Sequence, residues 1–239
     1  MREKVIAIIP AAGQGVRMGH NKKQFLKLAG IPIFLHTLRR FAACPQIAEI
    51  ILACPPGDVA AVEKSLPAEA LEKKVTVVPG GDRRQDSVES GFRALPNDTE
   101  LVAVHDAVRP LVTPALISAV IQEAARTGAA ILGILSVDTV KQVERTRILG
   151  TIPRERIVLA QTPQVFRYEL LRQAYAKAHE DQFVGTDEAS LVEHLGAEVT
   201  VVPGSERNIK ITKPSDLALA EFYLAQEQAD SAARQPARR

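Results

Sequence analysis

Hydrophobic positions along the chain fall into short aliphatic runs at 5–9, 49–53, 75–78, 101–104, 129–135 and 199–202. Several are continuous rather than alternating, the pattern of strands covered on both faces. Between them, apolar residues recur at helical spacing over 33–42, 58–65, 87–94, 114–126, 168–179, 187–195 and 214–226. This alternation predicts an α/β fold: a mainly parallel, doubly wound sheet with right-handed crossovers. Ligands in such sheets sit beyond the carboxyl ends of the strands. Residues 1–225 are expected to form a single domain, with no internal repeat or linker.

One segment breaks the alternation. Residues 136–161 have period-two character, no helical pattern and a turn region around Gly150, which predicts a protruding β-hairpin arm. A hairpin off the body is marginal alone and needs a partner surface. The expectation is that it crosses onto a second subunit of a homodimer; the alternative is a hairpin folded back on its own domain. Apolar spacing fades after Leu224, so 226–239 reads as frayed helix running into a disordered tail.

Composition mainly excludes. The chain has 239 residues, 46% hydrophobic and 24% charged, enough for one large soluble domain. Its 30 basic and 28 acidic residues leave a net charge of +2, so no global field draws nucleic acid or membrane. Trp is absent and aromatics are 4%, which argues against base-stacking on single strands. Cys44 and Cys54 have no metal-ligand spacing around them and read as reduced thiols. The first strand begins almost at once and no apolar run is of membrane-spanning length, so a cytoplasmic location is expected.

The chemistry is concentrated after the strands. The run at 5–9 empties into Pro10-Ala11-Ala12-Gly13-Gln14-Gly15-Val16-Arg17-Met18-Gly19. Small residues let backbone N–H groups approach an anion, and Arg17 with Lys22 and Lys23 supplies positive charge beside it. A Walker loop is excluded because no Gly-Lys-Ser/Thr string follows at the required distance. The dinucleotide fingerprint fails because Met18 stands where its third small residue belongs. After the strand at 75 comes Gly80-Gly81-Asp82-Arg83-Arg84-Gln85-Asp86-Ser87, with Ser87 expected as helix N-cap or ligand donor. After the strand at 101 comes His105-Asp106-Ala107-Val108-Arg109-Pro110. There Asp106 can take ribose hydroxyls or a divalent ion, Arg109 can clamp a phosphate, and His105 reads as a packing residue. Lys210, alternating with apolar Ile209 and Ile211, is expected at a strand end facing the crevice.

Taken together, these strings resemble the 2-C-methyl-D-erythritol 4-phosphate cytidylyltransferase family, of the nucleotidyltransferase fold. The matching motifs begin with Pro-Ala-Ala-Gly-x-Gly-x-Arg-Met, Lys23-Gln24-Phe25, Gly80-Gly81-Asp82-Arg83 with Asp86-Ser87, and His105-Asp106-Ala107-x-Arg109-Pro110. They continue with Asp138-Thr139-Val140-Lys141, Thr162-Pro163-Gln164-x-Phe166, Thr186-Asp187-Glu188-Ala189 and Asn208-Ile209-Lys210-x-Thr212. The order is the family's, over nearly the whole chain. Val108, where a second Ala is frequent, and Lys22, where Pro often precedes the lysine, are departures that remove no charged group.

The resemblance implies transfer of CMP from CTP to the phosphate of methylerythritol phosphate, releasing pyrophosphate, with Mg²⁺ held mainly by the CTP phosphates rather than by protein ligands. By carry-over, Pro10, Ala11, Ala12, Gly81, Asp82, Ser87 and Ala107 would bind the nucleotide, and Gly13, Gln14, Gly15, Arg17 and Lys23 its triphosphate. Asp106, Arg109, Thr139, Arg154 and Lys210 would hold the acceptor, with Thr139 and Arg154 donated by the partner's arm. Arg17, Lys23 and Lys210 would be catalytic. The acceptor phosphate, with a second pKa of about 6, is already ionised and needs no general base. Catalysis is therefore expected to be positioning plus electrostatic stabilisation. The competing readings are a ribitol 5-phosphate cytidylyltransferase for wall polymers and a non-catalytic nucleotide-binding regulatory module. A nicotinamide dehydrogenase ranks behind both because of the failed fingerprint.

Overall fold

The computed structural model describes residues 3–13 and 23–234. The aliphatic run at the start forms β1 (Val5–Pro10), buried along all but its last residue. A short antiparallel pair follows, β2 (Lys27–Leu28) and β3 (Ile31–Pro32), leading into α1 (Ile33–Ala42). Then come β4 (Ile47–Cys54), α2 (Val59–Ser65), β5 (Lys74–Pro79), α3 (Arg84–Arg93), β6 (Leu101–Val104), α4 (Pro114–Thr127) and β7 (Ala129–Leu135). The chain closes with β8 (Val140–Glu144), β9 (Arg147–Ile152), β10 (Val158–Arg167), α5 (Tyr168–Glu180), α6 (Glu188–His194), β11 (Thr200–Pro203) and α7 (Pro214–Arg234).

Among the described residues the central sheet has seven strands in the order β11-β7-β10-β6-β1-β4-β5. All neighbours are parallel except β10, which runs antiparallel to both β6 and β7. From β1 the chain winds out through β4 and β5, then returns to place β6 on the other side. The winding thus reverses beside β1, and a crevice opens at the carboxyl ends of β1 and β6.

Alternate strand residues face opposite helix layers, which is why the central runs are apolar throughout. Val5, Ala7 and Ile9 pack with Leu38 and Phe41 of α1 and Ile117, Val120 and Ile121 of α4. Ile8, Val102 and Val104 pack on the other face with Val88 and Phe92 of α3, Leu171 and Ala174 of α5, and Leu191 and Val192 of α6. A third cluster joins α7, through Ala220 and Leu224, to Leu28, Ile33, Val108 and Ile211. No helix among the described residues is long and apolar enough to cross a membrane.

Four expectations change. β10 is a central strand, although no strand is expected at 162–167 and residues up to 161 are expected in the arm. Its ladder to β7 is irregular between Gln161 and Gln164, so Pro163 sits where no regular ladder bond is demanded. The hairpin forms as β8 and β9, a separate two-stranded sheet, but it turns at Arg145-Thr146 with Arg145 at φ 53°. Gly150 lies instead within β9, opposite Gln142 and beside a register shift. Of 226–239, expected as frayed helix running into a disordered tail, the residues to Arg234 are helical, with Glu227 held by a paired Arg40 (Nη1 2.6 Å from Oε1), a contact invisible to local spacing, and 235–239 lie outside the described residues. Finally, Lys210 lies on an irregular loop, not at a strand end.

Gly91 marks the tightest approach of α3 to β1, since a Cβ there would lie 2.6 Å from Ile8 Cγ2. Alanine normally gains about 1 kcal/mol over glycine in a helix, but overpacking a closed core costs about 1–3 kcal/mol. Gly91→Ala is therefore expected to lower the urea-denaturation midpoint. A raised midpoint would show that this interface yields.

Candidate active site

The crevice gathers residues from four separate segments. Pro10, Ala11, Ala12 and Gly13 follow β1; Gly81, Asp82 and Ser87 come from the start of α3; Asp106 and Ala107 follow β6; and Lys210 comes from the loop before α7. All line one cavity, which Gln24, Arg83, Arg84 and Val108 complete. Gly80 lets the first two segments meet: a Cβ there would lie 2.4 Å from the Ala12 Cβ. Gln14, Gly15, Arg17 and the Lys23 side chain lie outside the described residues.

Of the two roles expected for Ser87, helix N-cap or ligand donor, the first falls away, while Ser87 does line the cavity. α3 starts at Arg84, with Arg83 in the cap position and Asp86 Oδ2 accepting from the Arg83 N–H at 3.1 Å. Ser87 lies one turn inside, where its Oγ accepts from the Gly81 N–H at 3.1 Å and reaches the Arg83 carbonyl at 3.0 Å. It thereby ties the glycine loop to the helix.

Asp106 is the electrostatic centre. Its Oδ1 accepts from Arg84 Nε at 2.9 Å and its Oδ2 lies 2.8 Å from Lys210 Nζ and 3.5 Å from Arg109 Nε. Arg84 reaches on to Glu188, whose two oxygens accept from Nη1 at 2.9 and 2.8 Å. Burial works against the ionised Asp106, yet Arg84, Lys210 and Arg109 hold its carboxyl far below the usual range. Burial opposes the charged Arg84 too, but Glu188 and Asp106 keep the guanidinium firmly protonated. Lys210, with 38% of its side chain exposed, is the most open cation of this group.

Arg109 is not on the cavity wall. Its Nη1 donates to the Asn208 carbonyl at 2.7 Å, pinning the Lys210 loop. Asn208 Nδ2 in turn donates to the Thr162 carbonyl at 2.9 Å, and Gln161 Nε2 to the Ser205 carbonyl at 2.8 Å. The polar stretch of β10 is thus the anchor for that loop. Thr139 and Arg154 are exposed on the arm, outside the cavity of their own chain, and Arg154 Nη1 donates to the Val137 carbonyl at 2.9 Å.

His105 is buried and positional. Its Nε2 lies 3.1 Å from the Arg109 carbonyl, which can only accept, so Nε2 carries the proton. Nδ1 then accepts from the Thr162 hydroxyl at 3.0 Å, while that oxygen accepts the Asp106 N–H at 3.1 Å. Burial pushes the imidazole down to a pKa of about 3.

Arg84, Glu188 and Gln24 were missed as site residues. Arg84 had a usable signal, being three residues before Ser87 and so on the same face of α3. It was overlooked because the helix was placed from residue 87. Glu188 stood inside a matched motif without a role, and Gln24 beside Lys23.

An α/β sheet with a small-residue loop after its first strand, and cations facing that loop across the switch point, is of the nucleotide-binding α/β class in architecture, with a crevice suited to phosphates. The model of the 2-C-methyl-D-erythritol 4-phosphate cytidylyltransferase (IspD) family matches residues 5–226. Proteins of that name from Solibacter usitatus and Acidobacterium capsulatum are 51% and 53% identical. The matches cover 95% and 93% of this chain and 98% of each relative. Among solved structures, 4-diphosphocytidyl-2C-methyl-D-erythritol synthase from Anaerococcus prevotii superposes with a TM-score of 0.83 at 31% identity, over 94% of this chain and 100% of that one. The cytidylyltransferase from Thermus thermophilus gives 0.76 at 36%, over 93% and 98%. The chain belongs to the 2-C-methyl-D-erythritol 4-phosphate cytidylyltransferase family.

The neutral His105 predicts a pH dependence of stability. The unfolded chain protonates this ring near its ordinary 6.5, whereas the folded chain resists until about 3. The contribution is complete above pH 6.5 and disappears as pH falls toward 3, by up to about 1.4 kcal/mol per pH unit. Unfolding free energies of wild type and His105→Gln, followed by urea titration from pH 7 to 4, should converge as pH drops. Parallel curves would contradict this account.

Proposed function

We propose that this chain transfers CMP from CTP to the phosphate of 2-C-methyl-D-erythritol 4-phosphate and releases pyrophosphate, a step of the non-mevalonate isoprenoid pathway. Family membership over residues 5–226 supports the reaction. The observation that carries the site is the convergence of Pro10–Gly13, Gly81, Ser87, Asp106 and Lys210 on one cavity at the switch point.

An acceptor phosphate oxygen attacks the α-phosphorus, a new P–O bond forms, and the bond to the β-phosphate bridging oxygen breaks, its electron pair leaving with pyrophosphate. The acceptor is a dianion at neutral pH, so the obstacle is repulsion between anions rather than proton removal. Lys210 and Lys23 stabilise the α-phosphoryl oxygens, and Arg17 the departing pyrophosphate. His105, neutral and committed at both nitrogens, is not asked to move a proton. The Pro10–Gly13 backbone and the Ser87-anchored glycine loop hold the nucleotide.

Asp106 already serves cations through both oxygens. A Mg²⁺ carried on the triphosphate would supply charge neutralisation of the phosphates. Leu135, Val137, Val143, Ile148 and Leu149 are exposed on and beside the arm, which supports a homodimer built through it, with Thr139 and Arg154 delivered to the partner's crevice. A cytoplasmic location goes with this reading.

Product analysis with CTP, Mg²⁺ and either methylerythritol phosphate or ribitol 5-phosphate tests the reaction, and a higher kcat/KM for the second would overturn the acceptor. Lys210→Ala is expected to lower kcat by about 10²–10³-fold in a pyrophosphate-release assay. An unaltered kcat would remove Lys210 from the chemistry. Mixing Lys210→Ala with Arg154→Ala subunits should restore activity through hybrid dimers, and no rescue in proven heterodimers would exclude a shared site.

A further inference from the structure

Glu188 does not line the crevice, yet both its oxygens are spent on it. Its side chain is 1% exposed, and it accepts twice from Arg84 Nη1, at 2.9 and 2.8 Å. Arg84 divides itself between two carboxylates, giving Nη1 to Glu188 and only Nε to Asp106 Oδ1. Asp106 Oδ2 is therefore left for Lys210, at 2.8 Å. We propose that Glu188 is a positioning residue that restrains Arg84, and through Arg84 and Asp106 fixes the Lys210 ammonium at the crevice. This rests on the assignment of Lys210 to phosphoryl transfer.

The preferred geometry of a guanidinium on a carboxylate is two parallel N–H···O bonds. The donor that could complete such a pair beside Nε is Nη2, which is buried without a hydrogen-bond partner, while Glu188 fixes the guanidinium plane through Nη1. Were Glu188 neutral, the guanidinium would be free to swing Nη2 onto the second oxygen of Asp106 and compete there with Lys210. Burial of Glu188 keeps water from substituting for it in the fork.

Glu188 is itself set from behind. It opens α6, where the N-terminal end of the helix favours an anion. Asp187 caps the helix through the Ser190 N–H at 3.0 Å. Gln164 of β10 then fastens this turn on two sides: Nε2 donates to Asp187 Oδ2 at 2.7 Å, and Oε1 accepts from the Ala189 N–H at 3.1 Å. The chain of contacts runs from β10 to α6, α3, the end of β6 and the Lys210 loop. Every junction along it is buried or half-buried.

Glu188→Gln keeps the shape and removes the charge. Its kcat is expected to fall about 10²-fold, the scale on which a small misplacement slows a reaction. CTP affinity by calorimetry should stay within about twofold, because the Pro10–Gly13 loop is untouched. Glu188→Asp, which keeps the charge but shortens the reach, should show the same split and serves if Glu188→Gln does not fold. In an Arg84→Lys background the relay is already broken, so adding Glu188→Gln should cost less than about threefold more.

Equal proportional losses in both backgrounds would overturn the relay, as would CTP affinity falling in step with kcat. A Glu188→Gln enzyme with unchanged kcat beside an active wild type would do the same. A wild type that turns over neither polyol phosphate would instead remove the reaction assignment.

Discussion

A crevice that attracts polyanions must first survive its own charge. Arg84, Arg109 and Lys210 come from three places in the chain and would repel one another if brought together alone. Asp106, buried at the end of β6, is what lets them gather, and Glu188 balances Arg84. Neither carboxylate could be buried without those cations, since an unpaired charge in such surroundings is strongly destabilising. The cations and the anions therefore require each other, and the surplus is positive. Lys210 sits at the open edge of the group, on the cavity wall, where that surplus is exposed.

The polar residues near the crevice divide into those that face it and those that hold it. His105, Thr162, Asn208 and Gln161 are buried and bonded mainly to one another and to backbone, and together they fix the loops carrying Asp106 and Lys210. A histidine beside a buried aspartate invites a proton-transfer role. Here its Nε2 proton is engaged by a carbonyl and its other nitrogen by a hydroxyl. Rigidity of the loop is its product, which suits a reaction whose difficulty is electrostatic rather than acid–base.

Much of this was legible in the chain. Continuous aliphatic runs marked the parallel strands because those strands are covered on both sides, and the run ending in Pro-Ala-Ala-Gly marked the crevice. The unread parts share a cause: they depend on partners distant in sequence. β10 went unexpected because its polar residues Gln161, Thr162 and Gln164 serve the Lys210 loop and α6. Arg84 was hidden by a helix start placed one turn late. The end of α7 looked frayed because Arg40, which steadies Glu227, lies on α1. Arg109, read as a phosphate clamp, spends a donor on the loop that presents Lys210. Thr139 and Arg154 were placed on the arm and are found there.

The position of β10 has a consequence for how the molecule is made. β7 precedes β10 in the chain, but β10 lies between β7 and β6 in the sheet. As the polypeptide leaves the ribosome, β6 and β7 emerge with nothing to join them. Their facing edges stay unsatisfied while the arm and then β10 are still being synthesised. Over that interval β7 has neither of its neighbours, β10 and β11 both lying later in the chain, and it and the edge of β6 present bare backbone open to pairing with another copy. Insertion of one antiparallel strand closes the gap and, through Gln161 and Thr162, sets the anchor points on which the Lys210 loop will settle.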